Sequence, residues 1–414
     1  MPKHVVIVGG GAAGMFAAMK AGENGAKVTI AEKNNRLGKK VLITGKGRCN
    51  LTNIAAVPDI IKNIPGNGVF LYSALNQLSN RDVIEIFQKL GLPTKVERGG
   101  RVFPVSDQAS DVVGVLEKYL RSMGVDILFN HSVQGLFIEE KTIKGIKAEG
   151  KMIPADAVIL ATGGSSYPGT GSTGDGYQMA RESGHKIVPL RPSLVPLVTE
   201  EDWVRELQGL ALKNVEVSAW GGSKKLGSEF GEMLFTHFGV SGPVILTLSK
   251  SITGYWVENP GQLVQLLINL KPALSFDQLD HRLQRDFEKF SRKQVSNAFG
   301  ELLPKSLIPV FIRLLSFAPE KPVHQVTREE RVEIIKLLQG LTLTVKGSRP
   351  LTEAIVTAGG VNTKEVNPKT MESKLIKGLY FAGEVLDVDG FTGGYNLQAA
   401  FSTGYTAGMY AAQE

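Results

Sequence analysis

The feature that most constrains this chain is a glycine-rich turn between a buried strand and a helix near its N-terminus. Residues 4–8 (HVVIV) form a short apolar run that is typical of a buried strand, and residues 12–24 continue with helical spacing and many alanines. A second apolar run follows at residues 27–31 (KVTIA). This order predicts a βαβ unit, the building block of a Rossmann-type α/β domain.

The turn has the spacing of a dinucleotide-binding site. Gly9 permits the tight turn, Gly11 lets a pyrophosphate approach the backbone, and Gly14 allows the helix to pack against the strand. The N-terminus of the helix offers free N–H groups and about half a positive charge to the phosphates. Glu32 ends the second strand 18 residues beyond Gly14, where a carboxylate accepts hydrogen bonds from the adenosine ribose and disfavours a 2′-phosphate. These residues predict a site for NAD or FAD rather than NADP.

The C-terminal part of the chain distinguishes between the two cofactors. Residues 381–384 (FAGE) form a strand that ends in Glu384, and in two-domain flavoproteins an acid at this point binds the ribityl chain. Residues 393–396 (GGYN) then begin a helix, whose positive end would face the flavin pyrimidine ring and stabilise the reduced cofactor. The sequence therefore predicts FAD. We expect the FAD to be non-covalent, because no obvious His or Tyr attachment signature is present.

Six longer motifs point to a specific family. They lie at residues 39–53 (KKVLITGKGRCNLTN), 163–168, 171–176, 231–243 (GEMLFTHFGVSGP), 357–361 and 379–404, and they span nearly the whole chain. In these motifs the chain resembles the BaiN/YhiN-like flavoproteins, also labelled aminoacetone-oxidase-like. The resemblance implies FAD contacts at Glu32, Lys40, Gly45, Asn50, Val133, Glu384, Asn396 and Leu397. It leaves the substrate open, because members carry labels that include amine oxidation and enoyl-type reduction.

The predicted FAD-binding residues lie in the first turn, after the second strand, in the 39–53 loop and at later strand ends. They are Gly9, Gly11, Ala12, Ala13, Gly14, Glu32, Lys33, Lys39, Lys40, Thr44, Gly45, Gly47, Arg48, Cys49, Asn50, Val133, Ala161, Thr162, Gly163, Gly164, Gly383, Glu384, Gly394, Tyr395, Asn396 and Leu397. The amides of the glycine-rich 39–53 loop could line a flavin edge, and its basic side chains could neutralise pyrophosphate charge.

Two side chains are candidates for catalysis, although each also has a structural interpretation. His237 could move protons near neutral pH, but a lone histidine is more often structural. Tyr395 lies beside the expected flavin and could orient the substrate or pack on the cofactor. Cys49 is the only cysteine, so a disulfide within the chain is excluded. A free cysteine is more often a small buried apolar residue than a reactive group. The six histidines show no metal-ligand spacing, so no metal is expected.

A second glycine pattern occurs at Gly169, Gly171 and Gly174. Pro168 separates it from the preceding strand, and no acid lies near residue 194. A second Rossmann unit would need both a tight strand–turn connection and that acid. We therefore interpret this segment as a loop that either contacts the cofactor or joins the domains. NAD(P)H, if it is the reductant, would visit the flavin transiently.

The expected architecture is an α/β fold of the two-dinucleotide-binding-domain flavoprotein kind. Residues 1–190 and 346–414 would form the FAD-binding domain, residues 191–275 and 335–345 a β-rich middle domain, and residues 276–334 a small helical subdomain. Residues 125–158 alternate like a meander of strands, and residues 197–270 are expected to be mostly β. Three prolines between residues 187 and 196 suggest a crossing between domains.

The bulk properties favour an enzyme with a small-molecule substrate. The net charge is +7. However, the basic residues are scattered and few aromatic residues lie among them, so a nucleic acid is the less favoured partner. The apolar N-terminal segment contains glycines and is too short to span a bilayer, so we expect a cytoplasmic protein. The leading interpretation is an FAD-dependent oxidoreductase that moves a hydride between a small organic substrate and flavin. An oxygen-using amine oxidase, an RNA-modifying flavoprotein and a non-catalytic redox sensor stay open as alternatives, and the oligomeric state is not predicted.

Overall fold

The computed structural model describes residues 1–318 and 320–413, and they form two compact units. Unit 1 comprises Met1–Ser193 and Leu351–Glu414, and unit 2 comprises Leu194–Pro350. The sequence predicts an FAD-binding domain over residues 1–190 and 346–414, and the limits of unit 1 lie within a few residues of these positions. The further division of the middle segment into a β-rich domain and a helical subdomain stays a prediction.

Strands occur in both units of the described residues. They are β1 (His4–Val8), β2 (Lys27–Glu32), β3 (Thr52–Asn53), β4 (Thr94–Glu97), β5 (Arg101–Pro104), β6 (Asp126–Phe129), β7 (Val133–Glu139), β8 (Thr142–Ala148), β9 (Lys151–Pro154), β10 (Ala157–Leu160), β11 (Ile187–Ser193), β12 (Leu197–Thr199), β13 (Ala211–Gly221), β14 (Lys224–Thr236), β15 (Gly239–Ser241), β16 (Val264–Asn269), β17 (Leu341–Ser348), β18 (Val356–Val361) and β19 (Leu379–Phe381).

The α-helices of the same residues are α1 (Ala12–Glu23), α2 (Val57–Lys62), α3 (Tyr72–Gln77), α4 (Asn80–Lys89), α5 (Ala109–Ser122), α6 (Asp175–Glu182), α7 (Pro243–Glu258), α8 (Phe276–Lys289), α9 (Ile308–Arg313), α10 (Arg328–Gln339) and α11 (Tyr395–Ala411). Short 3-10 turns connect several of them, including one at Val41–Gly47 and one at Gly383–Val385.

The centre of unit 1 is a parallel sheet with the strand order β19-β10-β1-β2-β6. Its central strand β1 pairs with β2 on one side and with β10 on the other, so that Val6 lies between Thr29 and Val158. Such strands are apolar along their whole length because both faces of a parallel sheet are buried. β10 and β6 belong to this sheet, and only β7, β8 and β9 form an antiparallel meander. The expected meander over residues 125–158 is therefore shorter than predicted.

Helix α11 lies directly against α1. A Cβ atom added at Gly404 or at Gly408 would overlap the carbonyl oxygen of Ala13 or of Ala17, respectively. The Phe16 and Phe401 rings, whose centroids lie 4.3 Å apart, belong to the same interface. This close packing holds the start of the chain and its last helix together, although nearly 400 residues separate them in sequence.

Unit 2 contains a closed barrel with the strand order β12-β15-β14-β13-β16-β17. The expectation that residues 197–270 are mostly β holds for the barrel strands but not for α7. Pro243 begins this helix, a position where its missing N–H costs nothing. Val244, Leu248 and Ile252 are buried at helical spacing. Helices α8 and α9 lie within residues 276–334, the segment predicted to be helical, whereas α10 runs beyond it to Gln339.

Across residues 1–318 and 320–413, no helix has both the length and the apolar character that crossing a membrane requires.

Candidate flavin site

The predicted phosphate-binding turn joins β1 to α1. Gly9 has a φ of 102°, and a Cβ there would lie 2.6 Å from the Ala161 carbonyl oxygen, so only glycine fits. A Cβ at Gly14 would overlap the carbonyl oxygen of Gly9, whereas one at Gly11 would meet no atom within 4 Å. The turn is therefore tight beneath the helix and open at its N-terminus, where a pyrophosphate group would lie.

Glu32 ends β2 beside this turn and is 7% exposed. Its Oε2 accepts a hydrogen bond from the Gly10 N–H at 2.7 Å, and its Oε1 accepts bonds from the Asn34 N–H at 2.8 Å and from Asn34 Nδ2 at 2.7 Å. These donors fix the carboxylate at the edge of the turn. This is the position that a ribose-binding acid requires.

The second glycine pattern forms a loop over the residues that follow Glu32. Asn34 Nδ2 donates to the Thr170 carbonyl oxygen at 3.2 Å, and a Cβ at Gly171 would overlap the Asn34 amide. Lys33 Nζ forms an ion pair with Asp175 Oδ2 at 2.5 Å. Because the preceding strand β10 lies in the same sheet as β1, this loop belongs to the first nucleotide-binding unit.

A half-buried ion pair joins the 39–53 loop to Glu384. Lys40 Nζ lies 2.7 Å from Glu384 Oε2 and 2.7 Å from Ser166 Oγ. The other carboxylate oxygen of Glu384 accepts bonds from Ser166 Oγ at 3.1 Å and from the Thr357 N–H at 2.9 Å. The structure thus brings together two predicted cofactor residues, Lys40 and Glu384, and adds Ser166 and Thr357, which the list of expected contacts lacks.

Helix α11 begins at Tyr395, directly after Gly394. Gly394 has a φ of 97°, and a Cβ there would overlap the Thr52 carbonyl group. Asn396 accepts a bond from the Gly390 N–H at 2.7 Å and donates to the Gly390 carbonyl oxygen at 2.9 Å. Tyr395 is 9% exposed, and burial raises the pKa of its hydroxyl. The side chain therefore packs inside the protein, next to the Gly393 backbone.

The predicted cofactor contacts in the 39–53 loop differ in burial and in their partners within the chain. Arg48 forms ion pairs with Glu97 and with Asp107, the latter at 2.7 Å, so two carboxylates already balance its charge. Cys49 is fully buried, and burial raises the pKa of its thiol to about 12. Lys39 Nζ donates to Asn34 Oδ1 at 3.3 Å. Of Lys39, Lys40 and Arg48, the basic side chains of this loop that could bind the pyrophosphate, Arg48 pairs with the most carboxylates.

The chain leaves buried polar atoms where a cofactor would bind. Asn50 Oδ1 and Thr162 Oγ1 are buried and have no hydrogen-bond partner within the described part of the chain. Both residues are predicted FAD contacts, and buried polar atoms are normally paired. Together with the open N-terminus of α1 at Gly11, they fit a large polar ligand such as FAD.

The remaining predicted site residues have simple placements. Val133 begins β7 and is 9% exposed. His237 lies in unit 2, in the turn between β14 and β15, is exposed, and its ring contacts Phe238 with the centroids 4.9 Å apart. Within the described residues, no group of three or more His, Cys, Asp or Glu side chains is arranged to hold a metal ion.

Sequence reasoning missed one polar cluster in unit 1. Asp387 and Asp389 lie between Glu384 and α11, and Asp389 Oδ2 accepts a bond from Ser193 Oγ at 2.7 Å. Asn67 Nδ2 donates to Asp387 Oδ2 at 2.9 Å. Burial raises the pKa of the Asp387 carboxyl group, and the positive charge of Arg191 acts in the opposite direction. The only signal in the sequence is the pair of acids with one residue between them, since their partners come from distant segments.

The family of this chain follows from comparisons with known proteins. A family model described as HI0933-like protein Rossmann domain matches residues 3–410. The chain belongs to this family. A protein of Clostridium scindens named 3-dehydro-bile acid delta(4,6)-reductase is 36% identical to this HI0933-like chain over 412 residues, which are 99% of each protein. The ribosomal RNA dihydrouridine synthase of Escherichia coli is 32% identical over 404 residues, 97% of this chain and 96% of that one.

Among solved structures, the 3-ketosteroid delta1-dehydrogenase of Sterolibacterium denitrificans has a similar fold. It superposes with a TM-score of 0.53 at 12% sequence identity and covers 99% of both chains. The Rossmann-type FAD-binding fold predicted from the sequence is thereby confirmed. The HI0933-like chain is an FAD-dependent oxidoreductase, as the sequence predicts.

Proposed function

We propose that this protein reduces a carbon–carbon double bond that is conjugated with a carbonyl group in a small organic substrate. The observation that carries the proposal is the 36% identity, over 99% of both chains, with a protein named as a delta(4,6)-reductase. Bound FAD, once reduced, would supply the hydride in such a reduction. The chain would supply the binding site, the orientation of the substrate and a proton.

The geometry of the site supports the cofactor part of this proposal. Gly9, Gly11 and Gly14 would hold the pyrophosphate, Glu32 the adenosine ribose, and Glu384 the ribityl chain. Asn50 and Thr162 would donate to or accept from the cofactor with the side-chain atoms that lack partners within the described residues. The N-terminus of α11 would stabilise negative charge on the reduced flavin. We further propose NAD(P)H as a transient reductant and, because a single cysteine needs no oxidising compartment, a cytoplasmic location.

A uridine base in ribosomal RNA is a second candidate substrate. A relative at 32% identity is named as a ribosomal RNA dihydrouridine synthase, and the net charge of +7 favours a polyanion. Arg36, Lys46, Arg98 and Arg101 are among the exposed basic side chains that form no ion pair within the described part of the chain. The chemistry is shared, since formation of dihydrouridine also saturates a double bond conjugated with a carbonyl group.

The test is a substrate comparison with the FAD-loaded protein. The flavin is first reduced without oxygen by NADH or by NADPH, and the loss of its visible absorbance identifies the reductant. The reduced protein is then mixed with a 3-oxo-4-ene steroid or with unmodified ribosomal RNA. We expect the steroid to reoxidise the flavin and to gain two hydrogens by mass spectrometry. Dihydrouridine in the RNA and no steroid product would favour the second candidate, and hydrogen peroxide from an amine alone would contradict both.

A further inference from the structure

Three exposed basic side chains of unit 1 belong to two segments that meet at a buried aromatic ring. Lys46 lies in the 39–53 loop, and Arg98 and Arg101 lie in the hairpin of β4 and β5. None of the three forms an ion pair within residues 1–318 and 320–413. An exposed charge contributes little to folding even when it is paired, so these side chains are candidates for binding a ligand.

The ring that joins the two segments is that of Phe103 in β5. Arg101 Cζ lies 5.9 Å from the centroid of this ring, and a Cβ added at Gly45 would lie 3.4 Å from its edge. The residue before Lys46 and the guanidinium group of Arg101 therefore approach the same ring. Arg101 Nε also donates to the Arg98 carbonyl oxygen at 3.0 Å. We call Lys46, Arg98 and Arg101 the basic cluster.

The acids near the basic cluster do not balance its charge. Residues 45–50 and 94–107 together carry five positive and two negative side chains, a net charge of +3. Both acids, Glu97 and Asp107, already form ion pairs with Arg48. The surplus positive charge therefore stays on the basic cluster, and it favours an anionic ligand.

Asn53 ties the turn of this hairpin to the start of α11. Its side chain is buried, and Asn53 Nδ2 donates to the Gly99 carbonyl oxygen at 2.9 Å and to the Gly393 carbonyl oxygen at 3.1 Å. A Cβ added at Gly100 would lie 2.7 Å from Asn53 Oδ1, so no side chain fits between the turn and this amide. The basic cluster thus lies beside the predicted flavin contacts that begin α11, and none of its members is one of those contacts.

The cluster suits a chain of phosphate groups better than a single carboxylate. One carboxylate is bound by one guanidinium group through two parallel hydrogen bonds, whereas three separate cations match successive phosphates of a nucleic acid strand. Arginine side chains bind phosphate through a fork of N–H groups, and their planes can also stack on unpaired bases of RNA. A neutral steroid has no group that would use these charges.

We propose that the basic cluster binds the backbone phosphates of a single-stranded RNA segment while one of its uridine bases enters the flavin site. This inference rests on the second candidate substrate of the proposed function. Enzymes that act on a base need it outside the duplex stack, and contacts to the backbone hold such a strand without reading its sequence. The cluster therefore acts on the affinity for RNA and takes no part in the transfer of hydrogen.

The experiment measures RNA binding to the FAD-loaded protein over a series of salt concentrations. The probe is a labelled, single-stranded, uridine-rich RNA of about 16 nucleotides. Each phosphate contact to a single strand contributes about 0.7 to the slope of log affinity against log salt. The triple variant Lys46→Gln, Arg98→Gln, Arg101→Gln should therefore have a slope that is shallower by about 2. When the salt concentration rises tenfold, the wild type should lose roughly 100-fold more affinity than this variant.

The matched control removes the same number of charges from unit 2. Arg285, Arg292 and Lys293 are exposed and also form no ion pair within the described residues, so their triple replacement by Gln should keep the wild-type slope. A second variant, Arg98→Lys with Arg101→Lys, keeps the charges of the cluster and should keep the slope as well. The visible absorbance of bound FAD shows whether each variant is folded. If the triple cluster variant loses FAD, its three single variants replace it, and each should reduce the slope by about 0.7.

Binding and turnover separate this inference from the proposed function. Equal slopes in the wild type and the cluster variant, or an equal loss in the unit 2 control, would overturn the basic cluster as the RNA site. With RNA as the substrate of the reduced protein, the KM of the cluster variant should rise by more than its kcat falls. Dihydrouridine formed with an unchanged KM would support the second candidate function and refute the cluster. RNA bound through the cluster but never reduced would contradict that function and support the cluster.

Discussion

The two ends of the predicted cofactor site are built in different ways. The adenosine end depends on residues that are neighbours in sequence, from Gly9 to Glu32, within one βαβ unit. The flavin end combines Lys40, Asn67 and Arg191 with the segment that follows Glu384. A local motif fixes its own geometry, whereas the flavin end exists only when several distant segments have folded together.

This difference has consequences for specificity. The adenosine end presents a rigid turn and one carboxylate, which suit any nucleotide of this class. The flavin end presents an ion pair, two further carboxyl groups and the N-terminus of α11, and we propose that groups at this end influence the reaction. Substitutions at the adenosine end should therefore affect cofactor binding, whereas substitutions at the flavin end should separate binding from reaction.

The largest effect should come from Gly14→Val at the adenosine end. The new side chain would overlap the Gly9 carbonyl oxygen, and we expect a loss of bound FAD together with about 3 kcal/mol less free energy of unfolding. Visible absorbance and denaturant unfolding measure both quantities. In the control, Gly114→Ala in α5, a Cβ meets no atom within 4 Å, so the variant should gain about 0.5–1 kcal/mol. FAD bound at the wild-type level in Gly14→Val would show that the turn does not hold the cofactor.

A smaller loss should follow from Lys40→Met at the flavin end. This change removes a charge-assisted bond at 2.7 Å to Glu384, which is worth about 1.5–3 kcal/mol, so we expect FAD to bind roughly 10-fold to 100-fold more weakly. Titration of the FAD-free protein with FAD provides the measurement. Lys62→Met, on an exposed ion pair with Asp59, is the control. Equal affinities in the two variants would place Glu384 away from the cofactor.

These predictions also show how much the sequence alone could determine. Gly9, Gly14 and Glu32 follow from the motif, because their roles depend on backbone geometry at short range. The pairing of Arg48 with Glu97 and Asp107 and the contact of Asn67 with Asp387 depend on tertiary packing, and no spacing in the sequence encodes them. Helix α7 was missed for a related reason, since its β-branched residues suggest a strand when the burial of one face is not known.

A modest pH effect on stability should come from His185, which packs against β19. Its ring is buried against Phe381 and bonded to Ser183 and Ser373, and burial lowers its pKa. The folded protein then binds this proton less readily than the unfolded chain, so stability should fall as the pH drops below about 6.5. In His185→Gln we expect a smaller loss between pH 7 and pH 5, and in the exposed control His281→Gln we expect the wild-type loss. If the stability of His185→Gln changed with pH as steeply as that of wild type, this assignment would be refuted.

The smallest effect should come from Cys49. Its thiol is buried, and its pKa is raised to about 12, so little thiolate is present at pH 8. We expect a thiol reagent to label the native protein slowly and the denatured protein quickly. Rapid labelling of the native protein would show that the 39–53 loop opens.

The central claim is that the reduced protein passes its electrons to a conjugated double bond. The direct test is a single turnover without oxygen, in which one equivalent of reduced protein is mixed with one equivalent of a 3-oxo-4-ene steroid. The account predicts that the oxidised flavin spectrum returns and that one equivalent of saturated product forms. A flavin that stays reduced with the steroid and with uridine-containing RNA, yet reoxidises at once in air, would contradict it.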